Sequence, residues 1–221
     1  VSYKRYEYWL ESDYFDEDTK IELRKIADVP KEIEERFYKD LEFGTGGLRG
    51  IIGAGTNRMN KYTVRKASQG LADYTKNKGE EFKQRGIVIA YDSRSMSEEF
   101  ALESALVFAG NGIKAFLFDE LKPTPELSFA VRLLKASAGV VITASHNPKE
   151  YNGYKVYGED GAQMALDGTD AVLREINAIT DISSVNFISR KEAEDKGLLK
   201  IIGKSVDDEY IKLLKNLSVN N

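Results

Sequence analysis

A chain of 221 residues, 42% of them hydrophobic and 31% charged, is long enough for one sizeable core, or for a domain and the beginning of another. Its net charge of −4 argues against a nucleic-acid binder, which shows a basic surplus, and leaves room for a local basic pocket that takes an anionic small molecule. With no cysteine the chain has no disulfide, no thiolate chemistry and no cysteine zinc site, which fits a reducing compartment. The opening Val1-Ser2-Tyr3-Lys4-Arg5-Tyr6 lacks the apolar centre of a signal peptide, and no apolar run approaches the ~20 residues of a membrane span. A cytoplasmic protein is expected, with neither nucleic acid nor membrane as partner.

Residues 1–40 are charged and aromatic and read as a helical extension packed on the main body. Asp16 or Asp18 can cap a helix through Ile21, Leu23 and Ile26, and Pro30 suits the first turn of the next. Tyr6, Trp9, Phe15 and Phe37 are expected to pack this layer rather than to form a cofactor box. A glycine-rich loop, Phe43-Gly44-Thr45-Gly46-Gly47-Leu48-Arg49-Gly50, precedes a predicted short hairpin through Ile51-Ile52-Gly53-Ala54-Gly55. Asn60 can then cap a helix to about Lys76, with Val64, Ala67, Leu71 and Tyr74 on its core face.

From Gly86 strands and helices alternate. Ile87-Val88-Ile89-Ala90-Tyr91 is a continuous apolar run, as a strand covered on both faces requires. Ser95 and Glu98 suggest a capping box for a helix through Phe100, Leu102, Leu106 and Phe108, stopped by Gly110-Asn111-Gly112. Lys114 to Phe118 reads as the next strand, Thr124 as the cap of a helix beginning at Pro125, and Ala138 to Ile142 as the third strand. A strand around Tyr154 to Tyr157, a helix from Thr169 to Ile179, a strand at Leu198 to Ile202 and a helix from Val206 to Leu217 complete the order. The pattern predicts an α/β fold, a mixed, largely parallel sheet flanked by helices in three layers. Ligands of such sheets gather beyond the carboxyl ends of strands. The loops Asp92-Ser93-Arg94, Pro123-Thr124-Pro125 and Thr143 to Pro148 each follow a strand there.

The last of these is the most informative. Thr143-Ala144-Ser145-His146-Asn147-Pro148 sets a serine just past a buried strand, beside the only histidine, with Lys155 ten positions on in Tyr151-Asn152-Gly153-Tyr154-Lys155. A polar turn is the ordinary use of such residues. A serine hydrolase fits poorly, because the histidine is the serine's immediate neighbour and no glycine-flanked nucleophile elbow is present. Phosphoryl transfer fits better. A phosphorylated Ser145 carries close to two negative charges, and moving that group demands positioning and charge neutralisation more than proton relays. Lys155 and Arg49 are credible cationic partners and Arg94 is a weaker third, for which a solvated surface position is the favoured reading. Gly44, Gly46 and Gly47 allow either a phosphate cradle or a tight turn needing positive φ, and no Gly-Lys-Ser/Thr makes this a P-loop. Asn152 and Gly153 read as a turn that aims Lys155.

The stretch Thr143 to Lys155, the glycine-arginine loop Phe43 to Gly50 and the turn Pro123-Thr124-Pro125 together resemble the α-D-phosphohexomutases, the phosphoglucomutase and phosphomannomutase superfamily, from about Leu41 to about Ser218. Their wording is most similar to the longer, phosphoglucomutase-like branch. The resemblance implies that Ser145 is the phosphoserine and binds Mg2+ through a phosphate oxygen. It implies that His146 and Lys155 assist proton transfer and charge balance. Arg49, with Gly46 and Gly47, would join Ser145, His146 and Lys155 in holding a hexose phosphate. The implied reaction interconverts glucose 1-phosphate and glucose 6-phosphate through glucose 1,6-bisphosphate. Phosphomannomutase or phosphopentomutase activity, or a sugar-phosphate-binding module without turnover, are the alternatives.

Members of that family have four domains, and only the first is recognisable here. Residues 1–40 are expected to form the helical extension, 41–204 the domain with the phosphoserine loop, and 205–221 the start of the next. The Asp-x-Asp-x-Asp metal loop is missing; Asp167 and Asp170, like Asp207 and Asp208, fall in predicted helix starts. With one ligand oxygen Mg2+ would bind weakly. The chain is therefore expected to be a piece of a mutase, nearly inactive alone, whose partners include the remaining domains of the same polypeptide.

Overall fold

The computed structural model describes residues 1–44 and 46–219; Thr45 of the glycine loop and Asn220-Asn221 lie outside the described residues. The N-terminal layer consists of α1 (Ser2–Glu11), α2 (Glu17–Arg24) and α3 (Pro30–Phe37). Asp16 caps α2 by accepting the Thr19 N–H at 2.8 Å, and Pro30 stands at the first turn of α3. Trp9 stacks on Phe15 with ring centroids 4.2 Å apart and meets Tyr62 edge-on at 5.4 Å, which ties this layer to the rest of the chain.

β1 (Phe43–Gly44), β2 (Gly47–Ile51), α4 (Lys61–Asn77), α5 (Glu80–Gln84), β3 (Ile87–Tyr91), α6 (Ser97–Gly110), β4 (Ala115–Phe118) and α7 (Thr124–Leu133) follow. Then come β5 (Ala138–Ile142), β6 (Tyr151–Tyr157), α8 (Leu166–Ala178), α9 (Arg190–Asp195), β7 (Leu199–Ile202) and α10 (Lys204–Leu217). The strands form one seven-stranded mixed sheet of order β1-β2-β6-β5-β3-β4-β7. The block β5-β3-β4-β7 is parallel, and β6, β2 and β1 continue it antiparallel.

Strand alternation explains the layering. On β3, Ile87, Ile89 and Tyr91 face a core shared with α4, α6 and α8, while Val88 and Ala90 face a second core under α7 and α10. All five residues are buried, as their uninterrupted apolar run predicts.

Four local expectations are corrected. The hairpin is β1–β2, turning at the glycine loop; residues 52–59 form a loop instead, gathered on Asn60, whose Nδ2 donates to the Gly53 and Gly55 carbonyls while its Oδ1 caps α4. Ser95 does not cap α6: Met96 precedes the helix in the left-handed region, and Ser97 turns its hydroxyl back to Asp92 Oδ1 at 2.9 Å. Thr124 is the first residue of α7 rather than its cap, because the Pro123 carbonyl accepts the Glu126 N–H. Asn152 and Gly153 lie inside β6, not in a turn; a Cβ at Gly153 would stand 2.5 Å from the Thr143 carbonyl oxygen and 2.9 Å from that of Leu48. Glycine is required there by the close passage of β5 and β2.

Helices α7 and α10 meet over a buried ionisable cluster. Lys122 Nζ, almost fully enclosed, reaches Asp207 Oδ2 at 2.8 Å and Glu120 Oε1 at 2.9 Å. Glu126 Oε1 and Asp207 Oδ1 are buried without other partners, so a proton held between the two carboxyls is the bond that satisfies both. Burial first, and Asp207 second, push the Glu126 carboxyl up to about 7. The folded chain then binds more protons than the unfolded chain from about pH 4.5 to about pH 7, so this group's stabilisation, full below that window, is lost as pH rises through it. Glu126→Gln, neutral throughout, is expected to flatten this decline when urea midpoints are compared at about pH 5 and about pH 8. An unaltered slope refutes the assignment.

Candidate active site

Parallel β3, β4 and β5 bring their following loops to one rim. The loop after β5 is a tight turn in which the Asn147 N–H donates to the Ala144 carbonyl at 3.1 Å. Ser145 occupies its first central position with φ 56°, the left-handed region that a residue with a Cβ adopts at a cost of ~1–3 kcal/mol. The Ser145 N–H is held by Thr143 Oγ1 at 3.0 Å. The side chain is exposed, and its Oγ accepts a 2.7 Å hydrogen bond from Lys155 Nζ.

Lys155 comes from β6, paired with Val141 of β5 on one side and Gly47 of β2 on the other. Its neighbours Tyr154 and Val156 are fully buried in the core, which fixes the strand and leaves the lysine half-buried. Burial, and then the nearby Arg49 charge, draw its pKa below the usual lysine value, with Asp92 opposing. Arg49 lies on β2 opposite Gly153, and its Nη1 donates to Asn147 Oδ1 at 2.9 Å. Both cations thus engage the serine turn. Neither has an ion-pair partner among the described residues. His146 is exposed beside Ser145 and makes no hydrogen bond with the described residues.

Gly46 and Gly47 each answer a packing need. Gly46 is buried with φ +79°, its carbonyl accepts the Val156 N–H at 2.8 Å, and an added Cβ would press on the Gln163 side chain. A Cβ at Gly47 would run into the Tyr154 carbonyl oxygen. Gly44, Gly47, Arg49, Lys155 and Gln163 line a cleft of about 460 Å³, the size of a small-molecule site. A larger groove of about 680 Å³, walled by Trp9, Phe43 and Ile176, contains none of Ser145, His146, Arg49 or Lys155. The smaller cleft takes Arg49 and Lys155 into its wall, while Ser145 and His146 lie outside its lining.

Arg94, read from sequence as a solvated surface residue, is instead largely buried and bound to the serine loop. Its Nη2 donates to the carbonyls of Ser145 (2.9 Å) and Asn147 (2.7 Å), and its Nη1 to those of Pro148 (2.9 Å) and Tyr151 (3.0 Å). Asp92 sits 3.6 Å from its Nε and accepts the Arg94 N–H and the Ser97 hydroxyl. Asn152, missed as well, donates to Ser97 Oγ and the Ser95 carbonyl, both at 2.9 Å. The signal available in sequence was position: Asp92-Ser93-Arg94 ends the strand adjacent to the one that delivers Ser145. The Pro123–Pro125 turn shares the rim but lies one strand further away, joined to β3 through the Lys122 N–H and the Tyr91 carbonyl.

Among the described residues no group of three or more His, Cys, Asp or Glu could hold a metal ion. Asp92 is engaged by Arg94 and Ser97, and the Ser145 oxygen alone does not build the six-ligand shell of Mg2+. The described residues therefore do not make a magnesium site by themselves.

A mixed three-layer domain thus offers one exposed serine to two cations that have no ion-pair partner among the described residues. The family model for "Phosphoglucomutase/phosphomannomutase, alpha/beta/alpha domain I" matches residues 40–183, and the chain belongs to that family. It is 44% identical over 184 residues to a phosphoglucomutase of Staphylococcus haemolyticus, covering 83% of this chain and 33% of that one. To a phosphoglucomutase of Staphylococcus aureus it is 42% identical over 197 residues, 88% of this chain and 35% of the other. A solved structure of a candidate phosphomannomutase from Thermus thermophilus superposes with a TM-score of 0.65 at 28% identity, over 80% of this chain and 36% of that one. The chain spans about a third of the length of the curated relatives it matches. No helix among the described residues is long and apolar enough to cross a membrane.

Proposed function

We propose that Ser145 is the phosphoryl carrier of a phosphoglucomutase that interconverts glucose 1-phosphate and glucose 6-phosphate. The observation that carries this reading is the 2.7 Å contact from Lys155 Nζ to an exposed serine oxygen, with Arg49 bound to the same turn and neither cation neutralised by a carboxylate. A phosphoryl group on Oγ, with about two negative charges, would supply the missing counter-charge.

In the forward half-reaction the sugar hydroxyl oxygen bonds to phosphorus as the bond from phosphorus to Ser145 Oγ breaks. The hydroxyl proton leaves to a base, a role this reading gives to exposed His146, and Lys155 donates a proton to the departing Oγ. The product is glucose 1,6-bisphosphate and free Ser145; the reverse of these steps, with the bisphosphate turned end for end, returns the carrier. Arg49 and Lys155 stabilise charge on the moving group, and Gly44 and Gly47 at the edge of the cleft flank the sugar phosphate. Mg2+ would neutralise phosphate charge, with one ligand from phospho-Ser145 and the rest from further chain.

In this reading residues 41–204 are the carrier domain, residues 1–40 its helical extension, and the chain from 205 onward leads into the next domain. The complete enzyme is expected to interconvert glucose phosphates in a coupled assay and the isolated 221 residues to be nearly inactive. Preference for mannose or pentose phosphates would redirect the substrate assignment. Binding without turnover by the complete enzyme would overturn the catalytic reading.

A further inference from the structure

The geometry points to Arg94 as a positioning residue that sets the direction of the Ser145–His146 peptide, and through it presents the His146 N–H as a phosphoryl-oxygen donor. This rests on Ser145 as the carrier. In the turn Ala144 to Asn147, closed by the Asn147 N–H and the Ala144 carbonyl, Ser145 has φ 56° while His146 is not among the residues with positive φ. A positive φ at the first central position alone is the φ pattern of a type II′ turn, where that position ordinarily belongs to glycine. A type I′ turn differs from it mainly by a flip of the central peptide, so something must hold that peptide in one orientation.

Arg94 does so. Its Nη2 binds the carbonyl of that central peptide, Ser145 O, at 2.9 Å, and the same nitrogen binds the Asn147 carbonyl at 2.7 Å. The planar fork spans four carbonyls of the loop, a task the point charge of a lysine cannot repeat. In a trans peptide the N–H points opposite to the C=O, so with the Ser145 carbonyl directed at Arg94 the His146 N–H is directed away from it. That N–H makes no bond with the described residues. A backbone N–H left without a partner is a donor for an anion, and this one adjoins the serine that bears the phosphoryl group. Behind Arg94, the chain Asp92–Ser97–Asn152 anchors the guanidinium to β6, which also carries Lys155. Donor turn and proton donor are thereby fixed to one strand.

The test uses the complete enzyme with glucose 1-phosphate, comparing Arg94→Lys, Arg94→Met and Ser145→Ala. Both Arg94 variants are expected to lose roughly 10–100-fold in kcat with KM within about twofold, because substrate binding is retained while the acceptor and phosphorus are misaligned. Phospho-Ser145 in Arg94→Lys should also show an altered 31P chemical shift, since one oxygen loses its His146 N–H partner. Unchanged kcat in both variants, or an unaltered 31P shift in a folded Arg94→Lys, overturns the inference. So does a loss of kcat that merely follows unfolding in both variants, judged by thermal melts. If Ser145→Ala keeps full turnover, the carrier reading itself fails; if it is inactive while the Arg94 variants behave as wild type, only the positioning role fails.

Discussion

In the complete enzyme, Ser145→Ala is expected to remove phosphoglucomutase activity down to the background of the assay, and Ser145→Gly to do the same while making the protein more stable. Both follow from the turn. The reaction needs an oxygen at this position, and neither Thr143 Oγ1, engaged by the Ser145 N–H, nor the His146 ring offers a hydroxyl in its place. The backbone at φ 56° costs a residue with a Cβ ~1–3 kcal/mol, which glycine does not incur. Against that, glycine gains freedom in the unfolded chain, leaving a net stabilisation of about 0.5–1 kcal/mol. Urea unfolding read beside the coupled assay checks both halves. A Ser145→Gly protein that is inactive and less stable would mean that the turn is not strained, and activity in either variant would place the carrier elsewhere.

Lys155→Met should lower kcat by roughly 10²–10³-fold, the usual range for removing a proton donor or charge stabiliser at a reacting oxygen. Methionine keeps most of the stem within the half-buried slot on β6, so the loss reports the ammonium and not the packing. Lys155→Arg should not restore the rate, because a guanidinium keeps its proton where an amine can release it. The lowered pKa of Lys155, set first by burial and then by Arg49, gives the reaction its direction in pH. A dianionic phosphoryl group on Ser145 raises the proton affinity of the neighbouring amine, and departure of that group lowers it again. Lys155 thus holds a proton while Ser145 is charged and yields it to Oγ as the phosphoryl leaves. Activity should fall on the alkaline side, where Lys155 beside the phosphorylated serine loses its proton, and Lys155→Met should lack that limb. A limb that survives the substitution would belong to another group.

Much of this arrangement is legible in the amino-acid sequence. Local rules govern β3 and β5, two apolar runs whose five residues each are buried, and they govern the cap at Asn60 and the aromatic layer around Trp9. Ser145 and Lys155 were readable because a motif carries them and because one strand and its neighbour bring them together. What escaped depends on contacts between distant segments. Asn152 and Gly153 look like a turn in the one-dimensional chain. They are strand residues because β2 and β5 press in from either side and because Ser95 and Ser97, 57 and 55 positions earlier, take the Asn152 amide. The Ser95 cap fails because the helix begins only at Ser97, after Met96 has turned into the left-handed region. Arg94 followed the general habit of arginines until four carbonyls, 51 to 57 positions away, enclosed it. Glu126 shows no sign in sequence that it will meet Asp207, since only the packing of α7 on α10 creates that pair.

The most direct test of the account follows the phosphoryl group itself. The complete enzyme, incubated with glucose 1,6-bisphosphate carrying labelled phosphate and then digested, should yield its label in one peptide, on Ser145, and lose it when glucose 6-phosphate is added. Label on any other residue, or steady turnover with Ser145 never labelled, would contradict it.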